Sequence, residues 1–397
     1  MRKIIAILCF VLALFVCALG EESTDKAAAF KQKYEEDVAF KAIRTLSRYL
    51  SDDLTLDQSV MSFQKNTEAW EMLRYFDGGW FSSVKNRSMT DFRSENWEVI
   101  SDTEFCCDVY MTLTINFSTN NKIVVFPCGY HFCFKQTSPQ NNFWQVYDFY
   151  ALPDKTDILK AAELSQLDED INVYSVMGRT FKGFLVVLSD PSRITVGTID
   201  YFGSSAEGQR VNVLAQKLGA LVTINGGGFS DSGGKGNGGT PFGLIISNGV
   251  TKHGHESGNT LCNTVIGFDE ENVLHVGKYS YSDMNALGLR DAMAFHPALI
   301  IGGEKVPVTE KRLYTIRTAI GQDADGNVLM LVVKGRQPDS LGASIEDLEE
   351  IMLDYGAVTA GNLDGGSSTC LYMNGDSVYS GYWPDCSRRI PAVFYVK

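Results

Sequence analysis

The stretch Gly361-Asn362-Leu363-Asp364-Gly365-Gly366-Ser367-Ser368-Thr369 constrains the fold more than any other part of the chain. An apolar run from Ala357 to Leu363 leads directly into a carboxylate, paired glycines and three hydroxyl residues. Such a run, closed by glycines, reads as a buried strand followed by a sharp loop. Glycine allows the loop to turn tightly and to approach another backbone or a ligand without a Cβ in the way. Strand-end loops are also where functional side chains concentrate. Taken alone, Asp364 is as readable as a turn residue capping a backbone amide as it is a functional carboxylate.

The same construction occurs earlier. Gln209 to Leu218 reads as a helix ended by Gly219, and Ala220 to Ile224 as a buried strand. Asn225-Gly226-Gly227-Gly228-Phe229 forms the loop, which stays glycine-rich to Gly239. In the later copy, Ser344 and Asp347 make a capping box for a helix over Ile345 to Tyr355, and Gly356 ends it. Two strands of similar polarity are therefore expected to bring Asn225 and Asp364 to one edge of a sheet. Asn248-Gly249, Asp325-Gly326 and Asn374-Gly375 are hairpin signals. Asp323, Asp325 and Asn327 belong to the second of these turns, which lacks the glycine and distal Glu of a calcium loop. The expected class is α+β, sheet-rich with two main helices, rather than doubly wound α/β.

The first part of the chain is organised differently. Arg2 and Lys3 precede an apolar run from Ile4 to Leu19, with Ala18-Leu19-Gly20 as a small-residue cleavage site, so residues 1–20 are expected to be a signal peptide or anchor. Val16 before Cys17 argues against lipidation. Helical periodicity covers Glu22 to about Leu56 and again Asp57 to Tyr75, and strand-like patterns run from Trp97 to Ala151. Residues 21–152 are thus expected to form a smaller α+β accessory domain, helices first and antiparallel sheet after. By the order of its elements alone, it loosely resembles the NTF2-like cone fold. His131, between Tyr130 and Phe132, is expected to be structural. Polar residues 153–170 are expected to link this domain to residues 171–397.

The formal net charge of -13 argues against nucleic acid or an anionic membrane as the main partner. It leaves room for a small phosphorylated ligand or a glycan, and for association with a cell envelope through the leader; the oligomeric state is not legible. Nine cysteines include Cys9 and Cys17 in the leader, leaving an odd number in the mature chain. Export permits disulfides, no Cys-x-x-Cys occurs, and the spacings do not fit a zinc module. Neither a metal nor a cofactor is expected.

Four segments carry polar residues in strand-end settings: Asn225 with its glycines, His296 before Pro297, Arg317 on an apolar strand, and Asp364. An arginine there needs a partner, either an internal anion or an anionic substrate. A histidine before an apolar run is a candidate proton donor or a structural residue.

Asn225-Gly226-Gly227-Gly228-Phe229, Pro241-Phe242-Gly243-Leu244, His296-Pro297-Ala298-Leu299-Ile300, Arg317-Thr318-Ala319-Ile320-Gly321 and Asn362-Leu363-Asp364-Gly365-Gly366-Ser367-Ser368 occur in one order. In that order, over about residues 171–397, the chain resembles the phosphodiester glycosidases, which include exported bacterial proteins. The family often has Phe where Gly228 stands. The resemblance implies hydrolysis of sugar-1-phosphodiesters, such as those of N-acetylglucosamine or of envelope glycans, without a cofactor. It implies catalytic roles for Asp364, His296, Arg317 and Asn225, with Asp364 as the carboxylate and Arg317 on the phosphate. Gly226, Gly227, Phe229, Gly365, Gly366, Ser367 and Ser368 would contact the substrate, the loops supplying amide donors. A non-catalytic carbohydrate-binding protein and an envelope-polymer transferase are the alternatives.

Overall fold

A computed structural model describes residues 25–39, 41–42, 64, 67, 84–117, 123–138, 140, 143–231, 236–254, 264–308, 313–337, 339–380 and 388–397. The leader and nearly all of the second expected helix lie outside these residues. The chain forms two compact units, residues 1–153 and 154–397.

In the first unit, residues 25–39 and 41–42 are helical. Four antiparallel strands follow as a meander: Val84–Ser101, Glu104–Phe117, Ile123–Ser138 and Phe143–Ala151. The first strand begins well before Trp97. Its pairing shifts register between Thr90 and Arg93 and again between Glu95 and Glu98, and Asp91 and Asn96 have left-handed φ of 56° and 50°. These bulges break the alternation that would have revealed the strand. Phe105 anchors an aromatic core, stacking on Tyr34, Trp97 and Phe134. Cys106 and Cys133 face each other across neighbouring strands and form a disulfide. His131 is structural: its Nδ1 lies 2.7 Å from Asp108 Oδ1 and its ring stacks on Tyr150.

The second unit is α+β, and among the described residues every strand pairing in it is antiparallel. A seven-stranded sheet runs in the order 304–305, 298–301, 357–363, 317–323, 328–333, 182–188, 171–177. A five-stranded sheet runs 376–380, 370–373, 222–225, 392–396, 194–198. They share one core, with Phe184, Ile320, Met330 and Leu363 from the first and Ile224, Leu371 and Phe394 from the second. A second five-stranded sheet adds Ile266, Phe268 and Met293 to that core. The other face of the seven-stranded sheet is covered by helix Ile345–Asp354, through Leu348, Ile351 and Met352.

Two expectations are corrected here. Residues 153–170 are not a bare linker: they hold helix Lys155–Leu164, capped by Asp154, whose side chain accepts from Thr156 N. Its Ala161 and Leu164 pack beside Ile171 and Val173. Sequence periodicity hid it because its third buried position is a carboxylate, Asp157, paired with Lys334 at 2.7 Å. The strands bearing Asn225 and Asp364 also do not share a sheet edge. They belong to the two different sheets, and their loops meet at one end of the shared core.

Candidate active site

The loop bearing Asp364 is set by local chemistry. Ser344 and Asp347 complete a reciprocal capping box, with Asp347 N donating to Ser344 Oγ at 3.1 Å and Ser344 N to Asp347 Oδ2 at 2.6 Å. Gly356, at φ 81°, turns the chain from helix Ile345–Asp354 into strand Ala357–Leu363. Gly219, at φ 63°, does the same between helix Val211–Leu218 and strand Val222–Asn225.

The two loops are stitched together. Asn225 Nδ2 donates to the Asp364 carbonyl at 2.6 Å, and Asp364 N donates to the Gly226 carbonyl at 3.1 Å. Asn225 Oδ1 accepts from Thr318 Oγ1 at 2.8 Å and from Cys370 N at 3.2 Å. Asn225 is fully buried. Its amide is therefore occupied on both sides and positions Asp364; it offers a substrate nothing.

The expected amide cradle is largely occupied too. Gly226 N donates to Ala392 O, Gly366 N to Ile316 O, and Gly365 N to Asp364 Oδ1 at 3.0 Å. What the glycines provide is closeness. A Cβ on Gly226 would sit 2.7 Å from Ala392 O, on Gly227 2.6 Å from Ala294 O, and on Gly365 2.7 Å from Ile316 O. Ser368 hydrogen-bonds the Asp364 carboxylate through its side chain. Ser367, partly exposed beside it, makes no hydrogen bond with its hydroxyl among the described residues.

Asp364 keeps partial exposure. Burial of its carboxyl pushes the pKa up to about 6, against the bonds from Ser368 and Gly365 and the charge of Arg388; the Asp231 charge pushes the same way as burial. Arg388 is ion-paired with Asp231 and stands over the Phe229 ring at 4.8 Å. Burial works against ionisation of Asp231, but the Arg388 bond, the Gly236 N–H and the Arg388 charge hold it below the usual carboxylate range. Two carboxylates with opposite shifts thus both feel the charge of one guanidinium, and Asp231 alone is paired with it. Arg336 is a second cation nearby, its Nη1 4.0 Å from where a Gly366 Cβ would be.

Arg317 is elsewhere. Along its strand, Thr318 faces Asn225, so alternation turns Arg317 to the opposite face of the sheet. There Nη2 donates to Leu313 O at 2.9 Å and Nε to Ala343 O at 3.3 Å. The cation whose charge acts on Asp364 is instead Arg388, which the sequence did not single out because it sits in a polar segment with no motif around it. His296 is exposed, stacks on Phe295, and precedes a cis peptide to Pro297. Its carbonyl accepts from Asn362 Nδ2 at 2.7 Å, which ties its segment to the strand bearing Asp364. Phe229 is buried beneath Arg388 rather than open to a sugar.

A model of the phosphodiester glycosidase family matches residues 218–397. The SPbeta prophage-derived uncharacterized protein YomE of Bacillus subtilis is 27% identical over 187 residues, which is 45% of this chain and 28% of YomE. The N-acetylglucosamine-1-phosphodiester alpha-N-acetylglucosaminidase of Bos taurus is 34% identical over 87 residues, 20% of this chain and 16% of the bovine protein. The chain therefore aligns with less than a third of either relative. Among solved structures, the catalytic domain of the zebrafish enzyme of the same name, auto-inhibited by its pro-peptide, superposes with a TM-score of 0.46 at 22% identity, over 57% of this chain and 81% of that one. A hypothetical protein from Synechocystis gives 0.41 at 17%, over 79% and 81%.

Proposed function

We propose that this chain, whose residues 218–397 match a model of the phosphodiester glycosidase family, hydrolyses sugar-1-phosphodiesters between the anomeric carbon and the phosphate oxygen. Asp364 acts as the proton acceptor and Arg388 as the cation for the phosphate. The observation that carries this reading is the Asp364 carboxyl on a partly exposed loop residue, its pKa pushed up to about 6 by burial and acted on by the charges of the ion-paired Arg388 and Asp231. Water attacks the anomeric carbon, its proton passes to Asp364, and the electron pair of the breaking C–O bond leaves with the phosphate. The products are a free sugar and a phosphomonoester. Phosphate is a good leaving group, so a strong general acid is not required, and a base with a pKa just below neutrality suits the task. Arg388 is already desolvated against Phe229 and can exchange its Asp231 partner for the phosphate, which it matches with two N–H donors. Export belongs to this reading: the N-terminal leader pattern and the cross-strand disulfide both fit an oxidising compartment.

The test is turnover of an aryl diester of N-acetylglucosamine 1-phosphate in ¹⁸O-labelled water, followed by the release of free sugar and aryl phosphate. The label should enter the sugar, and kcat/KM should rise with pH through about 6. Label in the phosphate would place the cleavage at phosphorus and refute the mechanism. Sugar-phosphate binding without turnover would favour the carbohydrate-binding alternative.

A further inference from the structure

Two cavities, of about 580 and 430 Å³, lie side by side in the second unit and share Ile199, Asp200, Tyr201 and Lys217. Tyr201 lines both and is 63% exposed. Tyr201 thus stands, exposed, where the two cavities meet. The larger cavity also carries Lys252, His253 and Asn248. Lys217 bonds Asp200 at 2.6 Å, while Lys252 is exposed and has no ion pair among the described residues. On a chain with a formal charge of -13, this cavity is locally cationic.

The cavity is also joined to the candidate active site. Phe202 meets His253 edge-on at 5.6 Å, and His253 Nδ1 lies 2.8 Å from Gly243 O. The neighbouring Phe242 is 54% exposed and donates its N–H to Gly228 O. Gly228 in turn abuts the Phe295 ring, which stacks on His296. Exposed or half-exposed rings therefore follow one another from Tyr201 to the His296 segment.

We infer that the Tyr201 cleft is a binding site for a phosphate-bearing glycan chain, holding the polymer at a distance from Asp364. Tyr201 offers a flat face to a sugar ring, Lys252 meets an anionic group, and Asn248 and the Asp200 carboxylate paired with Lys217 meet hydroxyls. This rests on the glycosidase reading only for the direction of the chain toward Asp364, and its test does not need turnover.

The experiment is titration of the full chain, carrying Asp364→Asn to prevent hydrolysis, with three probes: a phosphomannan containing mannose-1-phosphodiester links, neutral mannan of matched length, and mannose 1-phosphate. Phosphomannan should bind tightest, and Tyr201→Ala or Lys252→Glu should each weaken it about tenfold, equivalent to about 1.4 kcal/mol. In chains that keep Asp364, the same two variants should leave turnover of the small aryl diester within about twofold. Unchanged phosphomannan affinity in both variants, no phosphomannan binding, or equal binding of neutral mannan would each overturn the assignment. So would a large fall in small-diester turnover, since the cleft would then be part of the catalytic site. Binding that survives while no diester is hydrolysed would instead refute the glycosidase reading and leave the cleft standing.

Discussion

Replacing Asp364 by Asn should remove activity and, at alkaline pH, stabilise the protein. The folded carboxyl titrates near 6 instead of the ordinary 3.8, because burial disfavours its charge. That displacement corresponds to about 3 kcal/mol of destabilisation once the group is ionised in both states. Partial exposure of the residue screens some of it, leaving about 2 kcal/mol. The sign follows from proton binding. Below 3.8 both states hold the proton and the group contributes nothing. Between 3.8 and 6 the unfolded chain ionises while the folded one does not, so stability falls as pH rises, and above 6 the full cost is present. Asn keeps an acceptor for Gly365 N but weakens the bond from Ser368, a loss of about 1 kcal/mol at every pH. The variant should therefore be about 1 kcal/mol less stable than wild type at low pH and about 1 kcal/mol more stable at high pH. Urea unfolding of both chains at pH 4 and pH 8 measures this, and turnover of the aryl diester should drop by about three orders of magnitude. A stability difference that does not change with pH would show that the carboxyl is not desolvated. Asp364 would then be an ordinary turn residue, and the catalytic reading would lose its basis.

Arg388→Ala should raise KM for phosphodiesters more than for neutral aryl glycosides. It should also move the acidic limb of the pH–rate profile above 6, because the guanidinium charge is one of the terms holding the Asp364 pKa down. Asn225→Leu and Arg317→Ala should part company. The first removes the partner of the Asp364 carbonyl and of Cys370 N, leaves the Thr318 hydroxyl only its bond to Thr369, and should cost about 2–4 kcal/mol in thermal or urea unfolding. The second removes bonds to two loop carbonyls, should cost about 1–2 kcal/mol, and should leave KM for the diester unchanged.

Features written in local chemistry were legible in the sequence. The capping box at Ser344 and Asp347, the left-handed glycines at 219 and 356, and the Asp323–Asn327 turn all depend on residues within a few positions of each other. Asp323 Oδ1 indeed accepts from both Asp325 N and Asn327 N, closing a plain hairpin turn. Relations between distant segments were less so. Nothing in the chain states that the Asn225 and Asp364 strands lie in facing sheets, although their loops were expected to meet and do. Arg317 shows the limit most directly. Its motif marks it as important, but whether it faces Asp364 depends on the parity of a strand whose two faces are both apolar. Ile320 packs into one core and Ala319 into the other, so hydrophobicity does not tell the faces apart. Arg388 and Asp231 left no periodic or motif signal at all, because each stands in a polar stretch and gains meaning only from the other.

Gly228 shows what the departure from the family pattern does physically. A Cβ at this position would lie 2.8 Å from the Phe295 ring and 3.4 Å from that of Phe242. A phenylalanine there would have to push both rings away. With glycine, they close over the loop from either side, and Phe242 stays 54% exposed at the rim. The neighbouring glycines have a different reason to be small: they are pressed against backbone carbonyls that cannot yield, which fixes the path of the chain toward Asp364. One glycine run therefore does two things. Gly226 and Gly227 hold the loop against the backbone beside Asp364, a demand common to any chemistry proposed there, while Gly228 reshapes the aromatic surroundings of that loop. Substrate preference should follow the second. Gly228→Phe should leave the pKa of Asp364 and the pH–rate profile where they are while changing which sugars are accepted.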